Sequence, residues 1–141
     1  AAVAACTAVG LGIWATSLSH SVNRERAARA ADAGALAILS DPASRRVALD
    51  GGNGIVAVGR SGDGVLVVDR LAAAPSGKTY EAWVIPPGGK AAAAGLFKGG
   101  GGPTIVRLAR SVTHGSMVAV TVERAGGVDA STQQPVMRAR A

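Results

Sequence analysis

Few side chains in this sequence are of a type that does chemistry. The histidines are His20 and His114, the single cysteine is Cys6, and the glutamates are Glu25, Glu81 and Glu123. A Ser–His–Asp arrangement could be drawn around His114, but no nucleophile-elbow sequence accompanies it. A histidine beside Gly115 reads as a turn residue. One cysteine, set in a hydrophobic segment, excludes an intrachain disulfide, a cysteine-rich zinc site and a copper site of the two-His, one-Cys kind. Glu81 and Glu123 fall on separate strands with no partner carboxylate nearby in sequence, so paired acid–base work is unsupported. Gly99-Gly100-Gly101-Gly102 lacks the Lys-Ser/Thr of a phosphate loop and precedes a strand, which makes it a flexible hairpin connection. The expectation is a protein that is not an enzyme and carries no cofactor and no metal.

The elements that position these residues must come from a short chain. At 141 residues and 13.9 kDa there is room for one domain and a short appendage, which excludes a barrel enzyme or a two-domain dinucleotide enzyme. The start at Ala1 rather than Met reads as that of a processed or excised piece. Hydrophobic residues make up 48% and mean hydropathy is +0.28, yet aromatics are only 3%, so the core must be built from Val, Leu, Ile and Ala. Net charge is +6, from 15 Lys+Arg against 9 Asp+Glu. The basic residues are scattered and aromatic stacking platforms are scarce, which argues against a nucleic-acid partner. The charge fits a solvated surface or one facing anionic lipid.

Residues 1–23 contain no Asp, Glu, Lys or Arg, and residues 1–18 are apolar all round. They read as the C-terminal part of a transmembrane helix, with Trp14 as an interfacial anchor. A buried Ala-rich helix and a trimmed signal peptide are the competing readings. Arg24, Arg26 and Arg29 follow the span closely, and the positive-inside rule would place that flank in the cytoplasm; the other flank is needed for the comparison. His20 to Leu39 reads as a continuing helix, ended by Asp41-Pro42. Val22, Ala30, Ala33, Leu36 and Ala37 form a weak apolar stripe that could pack on the domain or pair two copies as a homodimer. Residues 19–43 are therefore taken as a juxtamembrane helix and linker.

From residue 44 to 141 the hydrophobic period switches to two. Arg45–Asp50, Ile55–Arg60, Val65–Leu71, Thr79–Ile85, Thr104–Arg110 and Met117–Arg124 read as strands, with Ala91–Lys98 and Gln133–Arg138 as further candidates. Glycine- and proline-rich turns separate them. The expected fold is mainly β, an antiparallel β-sandwich preceded by the N-terminal helix. Beyond Trp14 the only aromatics are Tyr80, Trp83 and Phe97. Tyr80 and Trp83 fall on opposite faces of one strand, so one is core and the other is surface or covered by a loop.

The segment Gly77-Lys78-Thr79-Tyr80-Glu81-Ala82-Trp83-Val84-Ile85, followed by Gly88-Gly89-Lys90 and Ala94-Gly95-Leu96-Phe97, closely resembles the C-terminal domain of the anti-sigma-K factor family. There a "GKTYQLW-[LIV]-I" strand precedes a short turn and an "AGLF"-like strand. Val118-Ala119-Val120-Thr121-Val122-Glu123, then Ala125-Gly126-Gly127, is similar to the family's "VAVTVEPAGG", and Gln134-Pro135-Val136 to its "GPV" ending. Arg124 and Gln134 depart from the family's Pro and Gly at turn positions. The resemblance covers roughly residues 44–138, and its signature positions are Gly77, Lys78, Tyr80, Trp83, Gly95, Leu96, Phe97, Thr121, Glu123, Gly126 and Gly127.

The resemblance implies a bacterial single-pass membrane regulator. A cytoplasmic zinc-binding domain would hold a sigma factor inactive, and residues 19–141 would lie outside the membrane to receive a signal. Release would follow regulated intramembrane proteolysis by site-1 and site-2 type proteases. The outer cut would fall between Ser40 and Arg46 or in a Gly-rich loop. For the inner cut, Gly10 and Gly12, with Thr7 and Thr16, lower helix stability, and intramembrane cleavage needs unwound backbone. The alternative is a membrane-tethered envelope adhesion or binding sandwich with no role in transcription. The two differ upstream: a helical domain with a His-x3-Cys-x2-Cys pattern, or only a short tail.

Overall fold

A computed structural model describes residues 25–141. The expected membrane span at 1–18, with Gly10 and Gly12, lies outside the described residues. Among the described residues, no helix is long and apolar enough to cross a membrane.

Helix α1 occupies residues 25–40, and its last turn belongs to the compact unit that comprises residues 35–141. Helix-forming Ala-rich sequence and an exposed Arg29–Glu25 pair at 3.4 Å, one turn apart, support its first half. Of the apolar stripe expected from the sequence, Val22 lies outside the described residues, and Ala30, Ala33, Leu36 and Ala37 are exposed. Within the compact unit, Ala35 is buried and Ile38 and Leu39 are half-buried. Asp41–Pro42 stops the helix as expected, and the Arg46 guanidinium donates to the Leu39 carbonyl at 2.7 Å, satisfying a C-terminal acceptor.

Eight strands follow: β1 (Arg45–Ala48), β2 (Asn53–Val58), β3 (Gly64–Asp69), β4 (Lys78–Ile85), β5 (Ala92–Phe97), β6 (Thr104–Arg107), β7 (Met117–Arg124) and β8 (Met137–Arg140). They form two antiparallel four-stranded sheets, one ordered β1-β2-β3-β6 and the other β5-β4-β7-β8. Strand existence followed the period-two pattern. Most boundaries moved by one or two residues, and two moved further. Strand pairing of β6 with β3 ends at Arg107, because the chain then crosses towards the other sheet. The last strand begins at Met137, not Gln133, because residues 131–136 are exposed and the pairing with β7 starts from Met137 and Val120.

The two sheets meet at both of their edges. The Ala109 amide donates to the Ala94 carbonyl at 2.8 Å beside β6 and β5, and Asp50 and Arg138 exchange backbone bonds at 2.8 and 3.0 Å beside β1 and β8. Open strand edges, which invite pairing with other chains, are thereby engaged at these corners. A bulge makes one corner possible. Ala82 pairs with Gly95 and Trp83 with Ala93, so Ala94 is the extra residue on β5. A side chain at Gly95 would stand 2.9 Å from Val106 Cγ1, so glycine lets β5 lie this close to β6.

The core between the sheets is aliphatic, as the composition requires. Val56, Val58, Leu66 and Val68 from one sheet face Ala82, Val84, Val118 and Val120 from the other, with Leu49, Leu108, Val112 and Met137 closing the cluster. Its aromatic part is a single stacked pair, Tyr80 and Phe97, register partners with ring centroids 5.4 Å apart.

Candidate functional site

The signature residues divide between two faces of the β5-β4-β7-β8 sheet. Tyr80 and Phe97 point into the sandwich. Alternation along β4 and β7 sends Thr79, Glu81 and Trp83, with Ala119, Thr121 and Glu123, to the opposite face. That face ought to be wet, yet all six residues are buried. The Trp83 indole donates to the Thr121 hydroxyl at 2.9 Å. Thr79 donates to the Phe97 carbonyl at 3.0 Å, tying β4 to β5.

The two carboxylates are brought together in space. Glu81 sits opposite Thr121 and Glu123 opposite Thr79, which places them diagonally on one face of neighbouring strands. Neither has a partner carboxylate nearby in sequence, as expected, and the pairing of β4 with β7 supplies one in space. They are 3% and 1% exposed, so the arrangement is closed to a substrate.

What the carboxylates hold is the segment after β7. Glu81 Oε2 accepts the Val128 amide at 3.0 Å. From that segment Glu123 accepts the Thr132 hydroxyl at 2.7 Å, the Thr132 amide at 3.2 Å and the Ser131 hydroxyl at 3.1 Å. Desolvation pushes the Glu81 carboxyl above its ordinary value; the Val128 bond opposes this, and the charges of Glu123 and Asp129 add to it. Desolvation acts on Glu123 too, but hydrogen bonds from Thr132, Thr121 and Ser131 outweigh it and hold that carboxyl below its ordinary value. Two carboxylates side by side are thus pushed apart, one towards the protonated and one towards the ionised form.

Gly126 and Gly127 let the chain turn back over this face. Both have positive φ, +93° and +80°. At Gly127 a side chain would stand 2.9 Å from Glu81 Oε1 and 3.0 Å from Leu96 Cδ2. Glycine is needed there for conformation and for close approach. Gly77 turns the chain into β4 at φ +72°, and its carbonyl accepts the Ala125 amide at 2.8 Å. Lys78 and Leu96 are exposed, Leu96 at 47%, and each lies beside this construction rather than within a core.

Val128, Ser131 and Thr132 were missed from the sequence. The signal available was the Ser-Thr pair downstream of a buried strand glutamate, but no local period connects them. His114 is exposed, in the segment between β6 and β7. Among the described residues, no group of three His, Cys, Asp or Glu side chains is placed to hold a metal ion. Ser40–Arg46, expected to be an exposed segment open to the outer cut, is exposed at Ser40, Pro42, Ala43 and Arg46 and forms a hydrogen-bonded turn: the Ser44 and Ala43 amides donate to the Asp41 carbonyl and carboxylate at 3.1 and 2.8 Å.

The closed strand pair, its bulged neighbour and the glycine turn are the same three pieces that carried the resemblance. None of the curated proteins and none of the solved structures compared gives a significant match. The family model described as "Anti-sigma-K factor rskA, C-terminal" matches residues 1–136, nearly the whole chain and further towards its start than the motifs alone reached. The chain belongs to the anti-sigma-K factor C-terminal family.

Proposed function

We propose that this chain is the extracytoplasmic regulatory portion of a single-pass membrane anti-sigma factor. Its family membership gives the anti-sigma role and a sigma factor as partner. The observation that supports a regulatory rather than a chemical module is the state of its carboxylates. The two glutamates that could work as an acid–base pair are buried and committed to holding the segment after β7. A protein-interaction module anchored through residues 1–18 needs a folded outer domain, and the sandwich is one. It controls an upstream sigma-binding domain through site-1 and site-2 type cleavage rather than by catalysis of its own.

Topology is the part of this reading that an experiment can decide directly. Ser61 is exposed in the turn between β2 and β3. In a Cys6→Ser background, Ser61→Cys should react with a membrane-impermeant maleimide in intact cells. Reaction only after lysis would place the sandwich inside and overturn the proposal. Deleting the gene should, in parallel, raise transcription from promoters of the cognate sigma factor.

A further inference from the structure

A cleft of about 480 Å³ opens where the start of β1, the turn between β2 and β3 and the segment after β6 converge. Its polar lining is Arg45, Arg60, Ser61, Ser111, Thr113 and His114, and no carboxylate lines it. We propose that this cleft binds a phosphoryl group, carried either on a lipid headgroup or on a small soluble phosphate ester.

Arg45 is the residue that needs explaining. It shares the inward side of β1 with Val47, which packs on the core, and it lies opposite the buried Val58. Arg45 is half-buried there, and a partly desolvated guanidinium is stabilised by an anion or acceptor that meets it; Arg60 beside it is exposed. Its neighbour Arg46 alternates to the other side and is occupied by the Leu39 and Asp41 carbonyls. Among the described residues, neither Arg45 nor Arg60 has a carboxylate partner within salt-bridge distance. The nearest acid in sequence to Arg60, Asp63, is engaged by Arg107 at 3.7 Å and by the Ser61 hydroxyl at 2.7 Å. An inward charge on an edge strand also discourages strand addition. That role requires one charge, and accounts for neither Arg60 nor the hydroxyls and imidazole around the same cleft.

The walls are fixed before any ligand arrives. The Val112 amide donates to the Gly62 carbonyl at 2.8 Å and Leu108 to Gly64 at 2.9 Å, clamping the segment after β6 onto the turn. Gly62 turns at φ +86°. With the Ser61 hydroxyl committed to Asp63, the forked guanidinium donors of Arg45 and Arg60, the Ser111 hydroxyl and a fixed backbone remain as the components that recognise a phosphate oxygen set. The volume exceeds that of a bare phosphate and leaves room for the group that carries it.

The test follows backbone amide shifts of the ¹⁵N-labelled 141-residue chain in phosphatidylcholine nanodiscs. Inorganic phosphate and glycerol 3-phosphate are titrated in one arm, and phosphatidic acid is included in the nanodiscs in the other. Saturable shifts at Gly59, Ser61, Gly62, Ser111 and His114 are expected, with no such response to chloride at matched ionic strength. Arg45→Gln with Arg60→Gln should weaken binding by roughly tenfold or more, the loss of one charge-assisted contact or its equivalent. His114→Ala, a change at an exposed position, gives a second reading if the double variant unfolds. Response in the first arm assigns a soluble phosphate ester, and response only in the second assigns a headgroup. No saturable response in either arm, or one that all these substitutions leave unchanged, would overturn the proposal. The test reads binding alone and does not depend on the anti-sigma role.

Discussion

The indole N–H of Trp83 and the hydroxyl of Thr121 are joined at 2.9 Å on the face of their sheet turned away from the sandwich core. Both residues belong to the family signature, and both are about 1% exposed. The bond therefore replaces water for a buried donor. Thr121→Val keeps the volume but leaves the indole N–H unsatisfied, at a cost of about 1–3 kcal/mol. Trp83→Phe also loses packing. If the contact is what couples them, the double variant should be clearly less destabilised than the sum of the single variants. Urea denaturation of all four proteins measures this.

Glu81 and Glu123 should give the domain opposed pH dependences. The Glu123 carboxyl lies below its ordinary value of 4.5, so its stabilising contribution is present above 4.5 and lost as pH falls through the lowered value. Glu81 is raised, so its contribution is fully present below 4.5 and lost as pH rises through the raised value. Thermal melts across pH should show both limbs. Glu81→Gln, which keeps an acceptor for Val128, should flatten the upper limb without lowering stability at pH 7. Glu123→Gln should flatten the lower limb and cost about 1.5–3 kcal/mol at pH 7, because it removes the charge that the hydrogen bonds from Ser131 and Thr132 serve. Equal effects of the two substitutions would contradict the assignment.

These two carboxylates also mark where sequence reasoning stopped. Met117–Arg124 was legible in full as a strand, since Val118, Val120 and Val122 alternate with Ala119, Thr121 and Glu123. Alternation says which residues share a face, and it correctly parted Tyr80 from Trp83. It does not say which strand lies alongside, and the meeting of Glu81 with Glu123 depends on β4 pairing β7 in one register. The same limit applies to Arg45. Its inward direction could be read from β1, but its cleft is assembled from segments far apart in the chain. The end of α1 shows a further limit: Ala35 is buried and Ile38 and Leu39 are half-buried, whereas the weak stripe read from the period held the neighbouring Leu36 and Ala37 instead.

Gly126 and Gly127 are adjacent and share positive φ, but they should respond differently to alanine. A side chain at Gly126 meets open space, so Gly126→Ala costs only the left-handed conformation, about 1–2 kcal/mol. At Gly127 it meets the Glu81 carboxylate and Leu96 as well. Gly127→Ala should cost more and should displace the Val128 amide from Glu81. Hydrogen exchange at Val128 and Thr132 would then accelerate in Gly127→Ala well beyond Gly126→Ala. Equal exchange in the two variants would show that the turn is not fitted to the carboxylate.

Limited proteolysis can locate the weakest exposed segment of the sandwich. Residues 86–91, between β4 and β5, are exposed throughout, and the Gly89 amide bonded to the Pro86 carbonyl at 2.9 Å closes the turn locally. Ser40–Arg46 has a comparable length but is tied down. Ser44 is buried, the Asp41 amide donates to the Ala37 carbonyl at 3.0 Å, and the Arg46 side chain itself bonds the end of α1. A protease must draw several residues into extended form, which is easier where few backbone bonds must break. Brief trypsin treatment of the folded chain should therefore cut after Lys90 before it cuts after Arg45 or Arg46. Arg46→Gln removes the bond to Leu39 and should speed cleavage after Arg45 while leaving the rate at Lys90 unchanged. Earlier cleavage at Arg45 or Arg46 in the unmodified protein would show that these bonds do not protect the segment, and would favour Ser40–Arg46 over the Gly-rich loops as the outer cutting site.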